Sequence, residues 1–168
     1  IGHARLSIID TSDFANQPFT KDDRHYLIFN GEIYNFKKLR KTIINDESLF
    51  TTNSDTEVLY NLLVKYGVEK TLKYLKGMFS FVFIDLKKNT LVGARDHFGQ
   101  KPFYYFNDGS IFAISSEVKS LNILKNSNLP DLNIWRTYLC SNGIINENKT
   151  FFENILTLPA GSSIKFKE

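Results

Sequence analysis

Cysteine, methionine and tryptophan are scarce in this sequence, which has one residue of each among 168. A single cysteine, Cys140, excludes an internal disulfide and favours a reducing compartment. Long hydrophobic runs are lacking too, because the most apolar stretch, residues 78–84, is far too short to cross a bilayer. The N-terminal residues do not have the basic and then apolar pattern of a secretory signal. We therefore expect a cytoplasmic protein without a membrane partner.

A strong excess of one charge is also missing, since 21 Lys and Arg face 18 Asp and Glu, for a net charge of +3. This excess is too small and scattered to predict nucleic-acid binding. The basic cluster of residues 37–41 is explained as the solvated face of a helix. Three isolated histidines without clustered acids give no metal-site pattern, so no metal is expected.

Aromatic residues are plentiful, with 15 Phe and 8 Tyr, and they suggest sheets packed face to face in one domain over residues 1–168. The apolar patterns predict strands at residues 4–9, 26–29, 78–84, 91–94, 103–106, 111–115 and 163–166. They predict helices at residues 36–45, 55–66, 69–75, 117–124 and 134–139. This order indicates an α+β domain of stacked antiparallel sheets with helices on the outer faces.

Asn30 and Gly31 follow an apolar stretch, and an Asn-Gly pair is a strong signal for a tight hairpin turn. Only three residues separate the pair from Asn35, a good N-cap residue for the helix predicted next. A second strand of similar length does not fit between them. The pair is therefore either a turn or a strand end with another role.

Other short motifs have ordinary explanations when each is taken alone. Arg5, in ARLSIID, fits a surface position. In SDTEV, Ser54 and Glu57 have the spacing of a capping box, and Asp55 stabilises the start of the helix. In order and spacing, these segments together with FNGEIYN (residues 29–35) and ARDHFGQKPFYY (residues 94–105) resemble the glutamine amidotransferase domain of asparagine synthetases. That family is a class II glutaminase with an N-terminal nucleophile. The resemblance runs from His3 to the closing LPAGSSIKF.

The resemblance implies a four-layer αββα sandwich, incomplete at its N-terminus, and assigns roles to five residues. It implies that the Asn30 side-chain amide and the Gly31 N–H form an oxyanion hole at the strand end. A pre-aimed amide donor and a residue without Cβ suit that task. Arg5 would hold the α-carboxylate of L-glutamine with its planar fork, and Glu32 and Asp55 would receive the α-ammonium.

The family's nucleophile is a cysteine in a Cys-Gly-Ile context, and the sequence has no such segment. Because the sequence starts at Ile1 without an initiator Met and runs directly into the strand predicted at residues 4–9, we expect a piece of a longer protein, inactive as a glutaminase by itself. The resemblance also implies a synthetase domain as partner, near the loop of residues 95–102. ATP and magnesium would belong to that domain and no cofactor to this one; a homodimer is left open.

Three alternatives stand beside this interpretation. The chain could be a pseudo-amidotransferase that binds or regulates without catalysis. It could belong to a relative that amidates a sugar or another carboxylate, since the acceptor is chosen outside this domain. It could also be a thiol hydrolase that pairs Cys140 with His3, His25 or His97, although Cys140 is more simply a packing residue in the core or near the surface.

Overall fold

The computed structural model describes residues 1–4, 9–125, 129–141, 143 and 148–167. Within these residues the strands are β1 (His25–Ile33), β2 (Gly77–Asp85), β3 (Thr90–Arg95), β4 (Tyr104–Asn107), β5 (Phe112–Ser115), β6 (Ile155–Thr157) and β7 (Ser163–Lys167). The helices are α1 (Phe36–Leu39), α2 (Asp55–Tyr66), α3 (Val68–Leu72), α4 (Val118–Lys125) and α5 (Leu132–Cys140). The strand predicted at residues 4–9 falls mostly on residues 5–8, outside the described residues. None of the described helices is long and apolar enough to span a membrane.

The strands form two antiparallel sheets. The first has the order β1-β2-β3-β7 and the second the order β5-β4-β6. The sheets meet face to face: the ring of Phe112 on β5 stacks on that of Phe166 on β7, with centroids 4.6 Å apart. The first helices pack on the outer face of the first sheet, and α4 packs on the second. The predicted α+β class with stacked antiparallel sheets is confirmed.

Alternate residues of β1 point to opposite faces of the first sheet, as the strand period requires. Leu27, Phe29 and Ile33 are buried against the helices, and they share this face with Phe79, Phe81 and Phe83 of β2. The even-numbered positions from Ile28 to Glu32 therefore face the other sheet. Asn30 and Glu32 share that inner face because they are two residues apart.

The helix predicted at residues 36–45 changes its geometry halfway. Its first part, α1, is α-helical, and its second part, Arg40–Ile44, is a wider π-helical turn. Asn35 precedes α1, but its side chain makes no cap hydrogen bond. Its amide instead donates to the backbone oxygen of Tyr74 and accepts from the N–H of Lys76, at 2.9 and 3.0 Å. Asn35 is therefore the N-cap residue by position, as predicted, but it makes no side-chain cap bond because a tertiary contact with that loop takes its amide.

The start and the end of α2 agree with the sequence. The Ser54 hydroxyl accepts from the N–H of Glu57 at 3.2 Å, and Gly67, with a φ of +74°, follows the last residue. The Glu57 carboxylate does not complete the capping box. It turns back to the N–H groups of residues 51–52 and to the Lys21 ammonium.

Candidate active site

A cavity of about 440 Å³ lies between the two sheets. Four of the predicted site residues line it: Asn30, Gly31, Glu32 and Asp55. Its walls also include residues of β2, the loop of residues 101–103 and the segment of residues 114–117. The fifth predicted residue, Arg5, lies outside the described residues. A volume of this size is typical of small-molecule sites.

Asn30 and Gly31 lie inside β1, which continues to Ile33, so the prediction that they form a turn or end the strand is wrong. The ladder to β2 is unbroken through them. Gly31 has a φ of +147°, and a Cβ placed on it would lie 2.1 Å from the backbone oxygen of Met78. Glycine is needed at this position because β1 and β2 approach too closely for any side chain, not because the chain turns.

The hydrogen-bond pattern of β2 fixes the direction of the Gly31 N–H. The backbone of Phe79, which pairs with Gly31, bonds Asp96 on the side of β3. Gly31 and Phe79 are therefore a non-hydrogen-bonded pair, in which the N–H of Gly31 points away from β2. Among the described groups, none accepts from the Gly31 N–H or bonds the side-chain amide of Asn30. Two adjacent neutral donors are thus available to a ligand oxygen.

Two carboxylates lie beside these donors. Asp55 is 5% exposed, and its carboxylate accepts from the backbone N–H of Ile33 at 2.9 Å. Burial raises the pKa of Asp55 above its ordinary value, its bonds to N–H groups limit the rise, and the charge of Glu32 adds to it. In the described part of the chain no cation pairs with either carboxylate, so a cationic ligand group would stabilise both.

Asp96, in the loop of residues 95–102, is fully buried. Its carboxylate accepts from the N–H groups of Phe79, Phe98, Gln100 and Lys101 at 3.0–3.2 Å. Although burial opposes its ionisation, these N–H groups hold the pKa of Asp96 below its ordinary value. Asp96 thereby ties this cavity-lining loop to β2 opposite Gly31. The only sequence signal for it was an acid beside a glycine-containing loop.

Glu57, predicted only as the second residue of a capping box, is also fully buried. Its carboxylate binds the Lys21 ammonium at 2.7 Å and the N–H groups of Thr51 and Thr52. Burial opposes its ionisation, but these donors hold its pKa below the ordinary value. Glu57 therefore fixes the turn that leads into Asp55.

Cys140 is exposed at the end of α5, which excludes the core position considered for it. It does not line the cavity, whereas His3 does. His25 stacks on Phe83 and bonds Asp22 at 2.7 Å, and His97 is exposed. The described residues thus provide no site that joins this thiol to an imidazole. Nor do they contain a group of His, Cys, Asp or Glu able to hold a metal ion.

The stacked sheets with a polar cavity between them agree with the fold of the N-terminal-nucleophile amidotransferases. Residues 1–168 match the glutamine amidotransferase domain family, and the chain belongs to that family. It is 44% identical over 128 residues to a glutamine-hydrolysing asparagine synthetase 1 of Bacillus subtilis, covering 74% of this chain and 20% of the relative. It is 37% identical over 121 residues to Amidase chry2 of Gibberella zeae, covering 71% and 18%.

Among solved structures, the chain is similar to the glutamine phosphoribosylpyrophosphate amidotransferase of B. subtilis. The TM-score is 0.61 at 25% identity, over 73% of this chain and 28% of that one. The chain spans about a fifth of the length of the curated relatives that it matches. The sequence relatives and the solved structure therefore agree on the family and on the fold. In each case the match covers only part of a longer protein.

Proposed function

We propose that the chain is the glutaminase domain of a glutamine-hydrolysing asparagine synthetase, treated as one domain over residues 1–168. One observation carries the proposal: a single cavity brings together the paired donors of Asn30 and Gly31 and the carboxylates of Glu32 and Asp55. The donors suit the oxygen of a tetrahedral intermediate at the amide carbon of glutamine. The carboxylates suit the α-ammonium at its other end.

Arg5 completes the proposal as the group that binds the α-carboxylate. This role is proposed from the resemblance of the ARLSIID segment to the family, since Arg5 lies outside the described residues. An arginine that binds the α-carboxylate and two acids that bind the α-ammonium select a free amino acid, because a residue within a peptide lacks both charged groups. The released ammonia would amidate aspartate in an ATP- and magnesium-dependent synthetase domain outside these residues.

The attacking thiol in this proposal comes from a cysteine outside the given residues. The thiol would attack the side-chain amide carbon, and the oxygen of the tetrahedral intermediate would accept from Asn30 and Gly31. Collapse of the intermediate would break the C–N bond, and the leaving nitrogen would take up the thiol proton and depart as ammonia. Water would then hydrolyse the remaining thioester to glutamate and restore the thiol. The given residues alone would bind glutamine without hydrolysing it. A second candidate is a relative in which the same glutaminase chemistry supplies ammonia to another acceptor, since the acceptor would be bound outside these residues.

An electrophilic glutamine analogue tests the proposal in the whole protein. We expect intact mass spectrometry to show one adduct, peptide mapping to place it on a cysteine outside residues 1–168, and excess glutamine to suppress it. The given residues alone should show no adduct. Labelling of Cys140 would overturn the assignment, and absence of any adduct on the whole protein would favour a pseudo-amidotransferase.

Replacing Asp55 with asparagine should raise the KM for glutamine by about 10-fold or more, because a charge-assisted hydrogen bond is lost. In the wild type, KM should rise as the pH falls towards the elevated pKa of Asp55, since protonation removes the charge that attracts the ammonium. The asparagine variant should lack this pH dependence. Steady-state kinetics of glutamine hydrolysis across pH measures both effects.

The matched control is Asp23→Asn, because Asp23 is exposed and its side chain has no partner among the described residues. The KM of Asp23→Asn should follow that of the wild type at every pH.

The stability of the fold should change in the favourable direction in Asp55→Asn, although glutamine binding weakens. A carboxyl with a raised pKa in the folded state loses stability as pH rises through that value, so Asp55→Asn should stabilise the fold at neutral pH. An unchanged KM in Asp55→Asn would remove Asp55 from the ammonium site.

A further inference from the structure

The outer edge of β1 exposes a row of backbone N–H groups, and the protein itself occupies most of them. The N–H groups that point away from β2 are those of Leu27, Phe29, Gly31 and Ile33. The N–H of Leu27 donates to the backbone oxygen of Phe19 at 2.9 Å, and that of Ile33 donates to Asp55 at 2.9 Å. In the described part of the chain, the N–H of Gly31 alone in this row has no acceptor.

The Gln17 side chain bonds Phe29, whose N–H group precedes that of Gly31 in the row. Its side-chain oxygen accepts from the N–H of Phe29 at 2.6 Å, and its side-chain nitrogen donates to the oxygen of Phe29 at 3.0 Å. The amide thus makes both hydrogen bonds that a neighbouring strand would make with this residue. Gln17 also lines the cavity.

This pairing needs an amide side chain. A primary amide presents one acceptor and one donor in a plane, which matches the N–H and C=O of one strand residue. Glutamate has no hydrogen to donate when ionised, and methionine has neither group. Asparagine is shorter by one methylene. The side-chain type and length are therefore specific to this contact.

The two contacts lie on either side of the donors. Gln17 holds the strand at Phe29, immediately before Asn30, and Asp55 holds it at Ile33, two residues after Gly31. The segment between them carries both proposed oxyanion donors. Because a donor acts on a developing charge only when it is already aimed at it, a fixed strand edge matters here.

We propose that Gln17 is a positioning residue for the oxyanion hole: it acts as a one-residue substitute for a neighbouring strand and holds Asn30 and Gly31 in the geometry that stabilises the transition state. The inference rests on the proposed glutamine hydrolysis. Gln17 would act through Phe29 and would not touch the substrate amide. Its effect should therefore fall on turnover and not on glutamine binding.

The test uses Gln17→Met in the whole protein, with steady-state glutamine hydrolysis and calorimetric titration of L-glutamine. We expect kcat to fall about 10- to 100-fold, as for a displaced catalytic donor, while the dissociation constant changes less than about threefold. Gln17→Glu should lose at least as much, because its carboxylate would face the oxygen of Phe29. Asn133→Met is the matched control: that amide side chain is exposed on α5 and does not line the cavity, so its kcat should be unchanged.

An unchanged kcat in Gln17→Met would overturn the inference. So would a loss of turnover and of glutamine affinity together, because that result describes a structural role in folding the site. Asn30→Ala, measured in parallel, separates this inference from the proposed function. If Asn30→Ala lowers kcat and Gln17→Met does not, only the role of Gln17 fails; if neither lowers it, the oxyanion assignment itself fails.

Discussion

Replacing Asn30 with alanine in the whole protein is expected to lower glutamine-dependent turnover by about 10²-fold or more, the typical loss for one oxyanion-hole donor. The side-chain amide of Asn30 lies on the inner face of β1, lines the cavity and has no partner among the described groups. Its hydrogen bond to the substrate oxygen strengthens as charge develops there. The loss should therefore appear in kcat, with little change in KM.

Synthesis from added ammonia is the internal control for this prediction, because it bypasses the glutaminase site. We expect it to continue at the wild-type rate in Asn30→Ala. Asn133→Ala provides the control at another position, since Asn133 is exposed on α5 and does not line the cavity. If glutamine-dependent and ammonia-dependent activities fell together, the assignment of Asn30 to the oxyanion hole would be wrong.

Most of the fold could be predicted because its signals are local. The nearly continuous apolar run of β2, the hairpin turn at residues 107–109 and the helix cap at Ser54 each specify an element from neighbouring residues alone. The missed strand, β6, has only three residues and no recognisable period. It forms because it pairs with the edge of β4, and this pairing depends on the tertiary structure and not on the local sequence.

The Asn-Gly pair shows why local signals can mislead. A glycine after asparagine satisfies the statistics of a tight turn, but the reason for Gly31 is a backbone oxygen on β2, far away in the sequence. No window around residues 30–31 contains that information. The same limit applies to Asn35, whose amide is taken by the backbone of Tyr74 and Lys76.

The candidate site divides in the same way. Four residues with proposed roles towards glutamine were found from motif identity, and the cavity brings them together. The residues that hold them in place were missed, namely Gln17, Glu57 and Asp96. Each bonds backbone groups of other segments, and side chain-to-backbone contacts leave no pairing pattern in the sequence.

The close approach of β1 and β2 leads to the second large effect, at Gly31. In Gly31→Ala the new methyl group would lie 2.1 Å from the Met78 oxygen, at a φ of +147° that alanine rarely adopts. We expect the strands to separate and the free energy of opening for their amides to fall by about 3 kcal/mol or more. Hydrogen exchange of residues 25–33 and 77–85 in the whole protein measures this, and glutamine hydrolysis should be lost as well.

Gly109→Ala separates the two causes of that effect. Gly109 has a φ of +89° in the hairpin turn, and a Cβ there would have nothing within 4 Å, so it carries the backbone strain without the clash. Its substitution should cost about 1 kcal/mol, confined to the turn. Equal effects of Gly31→Ala and Gly109→Ala would mean that φ alone explains the requirement for glycine.

Gly77→Ala would create a clash between the strands at a residue whose φ is not positive. A Cβ on Gly77 would lie 2.1 Å from the backbone oxygen of Glu32, and Gly77 does not line the cavity. If strand approach is the cause, Gly77→Ala should open the same amides as Gly31→Ala and should lower turnover indirectly, by moving β1 and its two donors. A stable, fully active Gly77→Ala would show that the spacing of these strands does not position the site.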